Sequence, residues 1–207
     1  MKLTTEPGKG GKLRIYCDGE YVTSVDLDTW YSMNYFDGSE IDSDELAELK
    51  TSIDNRLAYA RALRYLTLRA HSEGELYKKL LTKHSAESAQ YAIEKCGELG
   101  FLDDVDFARR FASELAQNKH YGVQRIKNEL YAKGIDRSII NDTVSELDFD
   151  FVESIKKVIE KKYYSNLFDE KGRGKIIAAL MRLGHNYSDI KTALSCYPET
   201  EADENEC

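Results

Sequence analysis

The sequence predicts a mainly α fold: a tandem array of three three-helix repeats, elongated and curved, preceded by a small β-hairpin element and a helix. Three observations predict it. Leu76, Ile126 and Ile176 recur every 50 residues, and so do Leu80, Leu130 and Leu180, so one i,i+4 apolar pair returns three times on a helical face. Ser72, Gly122 and Gly172 stand at the same interval where that helix should begin, and His84, Gly134 and Gly184 where it should end. A second register, 48 residues long, joins Tyr59, Phe107 and Ile155, and also Leu63, Phe111 and Ile159, which places another helix ahead of the first.

A third helix completes each unit, over Glu87 to Leu99, Asp136 to Leu147 and Tyr187 to Cys196. Units this small bury their own apolar faces poorly, and stacking neighbours supplies a continuous core. The repeats are expected at 59–102, 103–148 and 149–197. Before them come a flexible N-terminus at 1–10 and a β-hairpin element plus helix at 11–58, and after them an acidic disordered tail at 198–207.

The ends of the elements carry local signals. KLRIYCDGEYVTSV reads as two alternating strands joined by Asp18-Gly19, a pair that type I′ hairpin turns prefer. Asp42 as N-cap with Glu45 three residues on opens the helix that follows. Ser72 with Glu75 makes the same capping pattern, and Gly134 and Gly184 suit the left-handed position after a helix. Asp136 and Asn186 are N-caps of the second and third closing helices.

Composition narrows the function classes. At 42% apolar residues the chain suits a soluble folded protein, and no run approaches the roughly 18–20 apolar residues of a membrane span. MKLTTEPGKGGKL lacks the apolar core of a secretory signal, so a cytoplasmic location and no membrane partner are expected. Cys17, Cys96, Cys196 and Cys207 are scattered and read as reduced thiols. His71, His84, His120 and His185 are equally dispersed, so no metal and no cofactor are expected.

Net charge is −8 but unevenly spread. Residues 1–58 carry 6 basic and 12 acidic side chains, residues 59–147 carry 14 and 13, and residues 148–207 carry 9 and 12, five of those acids lying in PETEADENEC. The body after residue 58 is therefore mildly basic once the tail is set aside, which leaves room for basic stripes but no strong positive field.

GFLDDVDFARRF, residues 100–111, places three carboxylates within four positions, and two readings compete for them. As structure, Asp103 is the N-cap of a helix, with Asp104 and Asp106 at N1 and N3 against the positive end of its dipole, each worth about 0.3–1 kcal/mol. As an active site, the pair would need a nucleophile or a setting that raises a pKa, and the sequence points to neither.

SEGELYKKL (72–80), GFLDDVDFARRF (100–111) and RIKNELYAKGID (125–136), in that order and spacing, resemble the signature segments of the RecX family, bacterial modulators of the RecA recombinase. RIYCDGEYVTSV resembles the hairpin that leads many longer members. The resemblance covers about residues 12 to 196. It implies a regulator and not an enzyme, a helical protein of three repeats lying in the groove of the RecA–DNA filament. There it inhibits filament extension, ATP hydrolysis and strand exchange, and so modulates DNA repair, recombination and the SOS response. Some members also bind DNA. Where the family often carries glycine, position 84 is His84, which implies a different helix end.

A protein in such a groove meets protein surface or phosphates, and both favour long basic side chains on outer helix faces. The candidates are Arg64, Arg69, Lys78, Lys79 and Lys83 in the first unit, and Arg109, Arg110, Arg125, Lys127 and Lys133 in the second. In the third they are Lys161 and Lys162, within the run that includes Lys156 and Lys157, together with Arg173 and Lys175 beside Lys171. Each alone also reads as a solvated helix face. Lys171-Gly-Arg-Gly-Lys175 is not a phosphate loop, because Asp169 occupies the position of the first glycine and Ile176 follows the lysine. Tyr163-Tyr164 beside Lys161-Lys162 reads either as inter-repeat packing or as a stacking platform for single-stranded nucleic acid. The expected partners are thus the RecA filament and single- or double-stranded DNA, met by a monomer. A stand-alone DNA-binding helical module is the alternative.

Overall fold

The structure is a computed structural model that describes residues 1–198 and groups them into two compact units, residues 1–71 with 76–102, and residues 72–75 with those from 103 onward. In the first unit β1 (Leu3–Pro7), β2 (Lys12–Cys17) and β3 (Glu20–Asp26) form an antiparallel sheet in chain order. The β2–β3 turn holds Asp18 and Gly19 at φ of 48° and 82°, the two left-handed residues of a type I′ hairpin.

β1 corrects the expectation of a flexible start. Its residues pair with β2 from Leu3 opposite Cys17 to Pro7 opposite Leu13, and its other edge meets residues 38–41. There the Leu3 N–H donates to the Ser39 carbonyl and the Gly38 N–H to the Leu3 carbonyl, both at 2.8 Å. Backbone bonds on two sides and one fully buried side chain, Leu3, order a segment that has no alternating apolar pattern.

α1 (Leu27–Tyr31) is capped by Asp26, and α2 (Ser43–Leu68) opens with the reciprocal capping box of Asp42 and Glu45. The boundary expected between residues 58 and 59 falls inside α2, a continuous helix of 26 residues. Its Leu49 and Ile53 pack with Leu3, Ile15, Val25 and Trp30 under the sheet. One turn further, Ala58 and Ala62 join Leu76 and Leu80 of α3 (Glu73–Leu80) and Ala92 and Cys96 of α4 (Ala86–Glu98). α2 thus serves two cores, and the small alanines let α4 approach closely. Past α3 the chain turns without a left-handed residue, and the buried His84 side chain bonds Asp54 of α2 through Nδ1 at 2.6 Å.

The second unit contains α5 (Asp104–Lys119), α6 (Val123–Ala132) and α7 (Arg137–Ser145), then α8 (Phe151–Lys162), α9 (Glu170–Arg182) and α10 (Tyr187–Leu194). Asp136 and Asn186 cap α7 and α10, and the i,i+4 pairs Ile126/Leu130 and Ile176/Leu180 are all fully buried. The first pair packs with Phe107, Leu115 and Ile140, the second with Ile155, Ile159, Leu167 and Ile190. Leu130→Ala leaves a cavity at the centre of that packing. It is expected to cost about 2–5 kcal/mol, read as a lower urea midpoint at unchanged slope.

Gly134 and Gly184 take the left-handed conformation expected of them, at φ of 81° and 88°. They also have a second task. The Gly122 N–H donates to the Leu183 carbonyl at 2.8 Å, and the Ser72 hydroxyl donates to the Lys133 carbonyl at 2.6 Å. Residues 72 and 122 are 50 apart and so are 133 and 183, so the same joint is built twice from the same repeat positions. At both, backbones touch. A Cβ on Gly74 would lie 2.8 Å from the Gly134 Cα, and one on Gly122 would lie 2.3 Å from the Gly184 carbonyl carbon. Apart from Pro198, the acidic tail lies outside the described residues.

Candidate interaction surface

The three acids of GFLDDVDFARRF divide into separate structural tasks. Asp103 caps α5 by accepting from the Asp106 N–H at 2.9 Å. Asp104 accepts from the Glu73 N–H at 2.8 Å and so caps α3, a helix 31 residues earlier in the chain. Burial pushes the Asp104 carboxyl up, opposed by the Glu73 amide. Asp106 pairs with Arg110. No group of three or more His, Cys, Asp or Glu that could hold a metal exists among the described residues, and the cysteines among them, Cys17, Cys96 and Cys196, are free thiols.

Of the basic candidates, three point inward. Lys133 bonds Glu75 at 2.9 Å and lies over the Phe111 ring, with a side chain only 28% exposed. Lys79 approaches His71 Nε2 at 2.9 Å above the Tyr65 ring. Arg173 donates through Nε to the Leu167 carbonyl at 2.7 Å and through a terminal nitrogen to the Tyr197 carbonyl at 3.1 Å. These three hold the fold together. Arg69 donates to the Ala70 carbonyl at the end of α2 and is exposed, as are Arg64, Lys78 and Lys83 in the first unit.

The second unit carries further cations that face water. Arg109 pairs with Glu146 at 2.8 Å, Arg110 with Asp106 and Arg125 with Glu129 at 2.9 Å, and their side chains remain 59%, 68% and 47% exposed. Such pairs are worth about 0–1 kcal/mol each, so a carboxylate or phosphate from a partner can replace the internal acid at little cost. Lys127 reaches only the Asn141 side chain, at 3.2 Å. Lys161, Lys162 and Lys175 are exposed, and so is Lys157, which the candidates from the sequence left in the surrounding run. The adjoining tyrosines differ from each other: Tyr163 packs into the core around Ile155 and Ile159, while Tyr164 is 48% exposed and stands edge-on to Phe168 at 5.7 Å.

The lysines of α8 converge on His120, the left-handed residue that ends α5. Burial and then Lys157, Lys161 and Lys162 push its imidazole down from the usual histidine range, while Nδ1 meets the Ser154 hydroxyl at 2.9 Å. His185 is buried, donates through Nε2 to the His120 carbonyl at 3.0 Å, and has no partner for Nδ1. Burial pushes it down as well, because a second proton would sit on that unpartnered nitrogen. Both groups take up protons more readily unfolded than folded. Stability is therefore full above pH about 6.5 and is lost as pH drops from there toward the depressed folded values. Thermal scans should give a lower Tm at pH 5.5 than at pH 7.5, with a smaller loss in His185→Gln.

The sequence comparisons fall on these elements. The family model of the RecX first three-helix domain matches residues 58–96, spanning α2 to α4, and that of the second three-helix domain matches 103–144, spanning α5 to α7. The regulatory protein RecX of Pectobacterium atrosepticum is 35% identical over 126 residues, which cover 53% of this chain and 77% of that protein. The chain belongs to the RecX family. RecX of Bacillus velezensis is 28% identical over 199 residues, covering 93% of this chain and 75% of its own length. A crystal structure of a regulatory protein RecX matches in fold with a TM-score of 0.68 at 24% identity, over 94% of this chain and 98% of the other. RecX from Lactobacillus salivarius matches with 0.62 at 25%, over 70% and 96%. RecX relatives are named regulatory proteins, which sets this chain among regulators and not enzymes.

Missing from the sequence reading were Asp104 as the cap of another helix, the Glu75–Lys133 pair and the three carbonyls around Arg173. The 50-residue interval marked Ser72/Gly122 and Gly134/Gly184, which flank this joint, but gave no sign that the two sets meet.

Proposed function

We propose that this chain binds the filament of the RecA recombinase on DNA, in the cytoplasm and as a monomer. From that position it inhibits filament extension, ATP hydrolysis and strand exchange, and so modulates recombinational DNA repair and the SOS response. The observation that carries this reading, beside the family, is the set of exposed cations on α5, α6, α8 and α9 in a chain whose net charge is −8. Such a surface attracts phosphates and acidic side chains at short range, while the overall negative charge disfavours indiscriminate coating of DNA.

The test is a titration into RecA filaments on single-stranded DNA, following ATP hydrolysis. Inhibition should appear well below one chain per RecA subunit, as expected of a protein that blocks growth from filament ends or from the groove. The exposed Tyr164 beside Lys161 and Lys162 favours a second reading, a DNA-binding module. In that case inhibition needs enough protein to coat the DNA and disappears with excess DNA.

A further inference from the structure

Between α9 and α10 lies an open groove of about 220 Å³. Its floor is aliphatic, made by Ile177 of α9 with Ile190 and Leu194 of α10. Its rim carries Arg173 from α9, and Lys191 and the 58% exposed Tyr187 from α10. No carboxylate is among its lining residues.

The fold does not need this groove open. Fifty residues earlier, the same place between α6 and α7 is spanned by Lys127, whose ammonium donates to the Asn141 side chain at 3.2 Å. Ile177 stands at the position of Lys127, and Lys191 at that of Asn141. The bridge is lost, the cation changes helix, and the side chain left at the groove is aliphatic. At the corresponding position of the first unit, Tyr77 packs its ring against the core. Of the three positions, only 177 borders an apolar groove flanked by two cations.

Those cations are available. Arg173 is fixed by donating through Nε to the Leu167 carbonyl and through one terminal nitrogen to the carbonyls of Tyr197 and Pro198, which leaves its other terminal nitrogen outside these bonds. Carbonyls are neutral, so its charge is not cancelled. Lys191 is exposed and engages no acid among the described residues.

We propose that this groove docks an acidic segment of a partner protein, which inserts one large apolar side chain over Ile177, Ile190 and Leu194 and sets flanking carboxylates on Arg173 and Lys191. Small-molecule sites take about 300–1,000 Å³, so the space suits a single side chain. A buried anchor ringed by charge is the usual arrangement at the centre of a protein interface, and an Arg already held in place loses little freedom on binding. A nucleic-acid strand satisfies the cations, but an aliphatic floor offers its bases no hydrogen bond. That the partner is RecA rests on the filament reading; the docking of an acidic segment with an apolar anchor does not.

Methyl NMR of the full chain, labelled at isoleucine and leucine, reads the groove directly. The probe is an acidic nonapeptide with a central phenylalanine; one counterpart has alanine at the centre, another has lysines in place of the acids, and oligothymidylate is the nucleic-acid probe. The phenylalanine peptide should shift the Ile177 and Ile190 methyls saturably, the alanine peptide should bind about tenfold more weakly, and the lysine peptide should leave both methyls unmoved. K191E should weaken the phenylalanine peptide about fivefold at unchanged Tm, and I177K/K191N, which installs the pair found between α6 and α7, should abolish its binding. Unmoved methyls, or equal binding of the phenylalanine and alanine peptides, overturn the proposal. So does oligothymidylate binding at the same methyls as tightly as the phenylalanine peptide. If the peptide results hold and I177K/K191N inhibits RecA like the parent, the groove stands and its partner is a protein other than the RecA filament.

Discussion

Gly184→Ala lowers the stability of the second unit by about 3–5 kcal/mol, a fall in Tm of roughly 10 °C or more. Two effects add. Gly184 holds φ at 88°, which costs an L side chain about 1–2 kcal/mol, and its Cβ would lie 2.3 Å from the Arg125 N, a backbone atom held by the first turn of α6. Nothing there is a flexible side-chain end that could move aside, so helices must separate and the Gln124 N–H loses its 3.1 Å bond to the Gly184 carbonyl. Gly174→Ala supplies the control. It lies within α9, where an added Cβ would meet nothing within 4 Å, and should raise stability by about 0.5–1 kcal/mol. Thermal unfolding of the two variants should move in opposite directions; a Gly184→Ala chain that melts with the parent would show that the repeat joint tolerates separation.

Replacing Arg109, Arg110, Arg125, Lys161 and Lys162 together by glutamine should weaken inhibition of RecA ATP hydrolysis about a hundredfold while leaving Tm nearly unchanged. Each exposed charge at a partner surface is worth about 0.5–1 kcal/mol, and five give about 3 kcal/mol if they act independently. The fold loses little because Arg109 and Arg110 engage exposed acids, while Arg125 is itself 47% exposed and gives up one pair with the partly exposed Glu129 and its place over the Tyr121 ring. By contrast, Lys133→Gln and Arg173→Gln should lower Tm, since the first loses the part-buried Lys133–Glu75 ion pair and the second strips three backbone carbonyls of a donor. If the fivefold variant inhibits like the parent at matched salt, those cations are a solvated face only.

What the sequence revealed was whatever is encoded within a few residues. Leu76/Leu80, Ile126/Leu130 and Ile176/Leu180 mark buried helix faces by their spacing, Asp42, Asp103, Asp136 and Asn186 mark helix starts by side-chain capping, and Asp18-Gly19 marks the hairpin. β1 was hidden because backbone bonds hold it, and those leave no side-chain pattern. The unity of α2 was readable in principle, as no Gly or Pro interrupts residues 43–68, but the change from one core to the next at Ala58 looked like a boundary. For the interaction surface, charge and helical position identified the exposed arginines of α5 and α6, yet the same rule put Lys79, Lys133 and Arg173 outside. Their acceptors, His71, Glu75 and the carbonyls of residues 167, 197 and 198, come together only through tertiary structure.

On the proposed reading, the exposed cations of the second unit serve a recombinase filament and not DNA alone. Co-sedimentation at physiological salt, with RecA filaments on single-stranded DNA in one series and the same DNA bare in the other, tests it most directly. Binding to the filament should be at least tenfold tighter, and that preference should be lost in the fivefold glutamine variant; equal or tighter binding to bare DNA would contradict the claim.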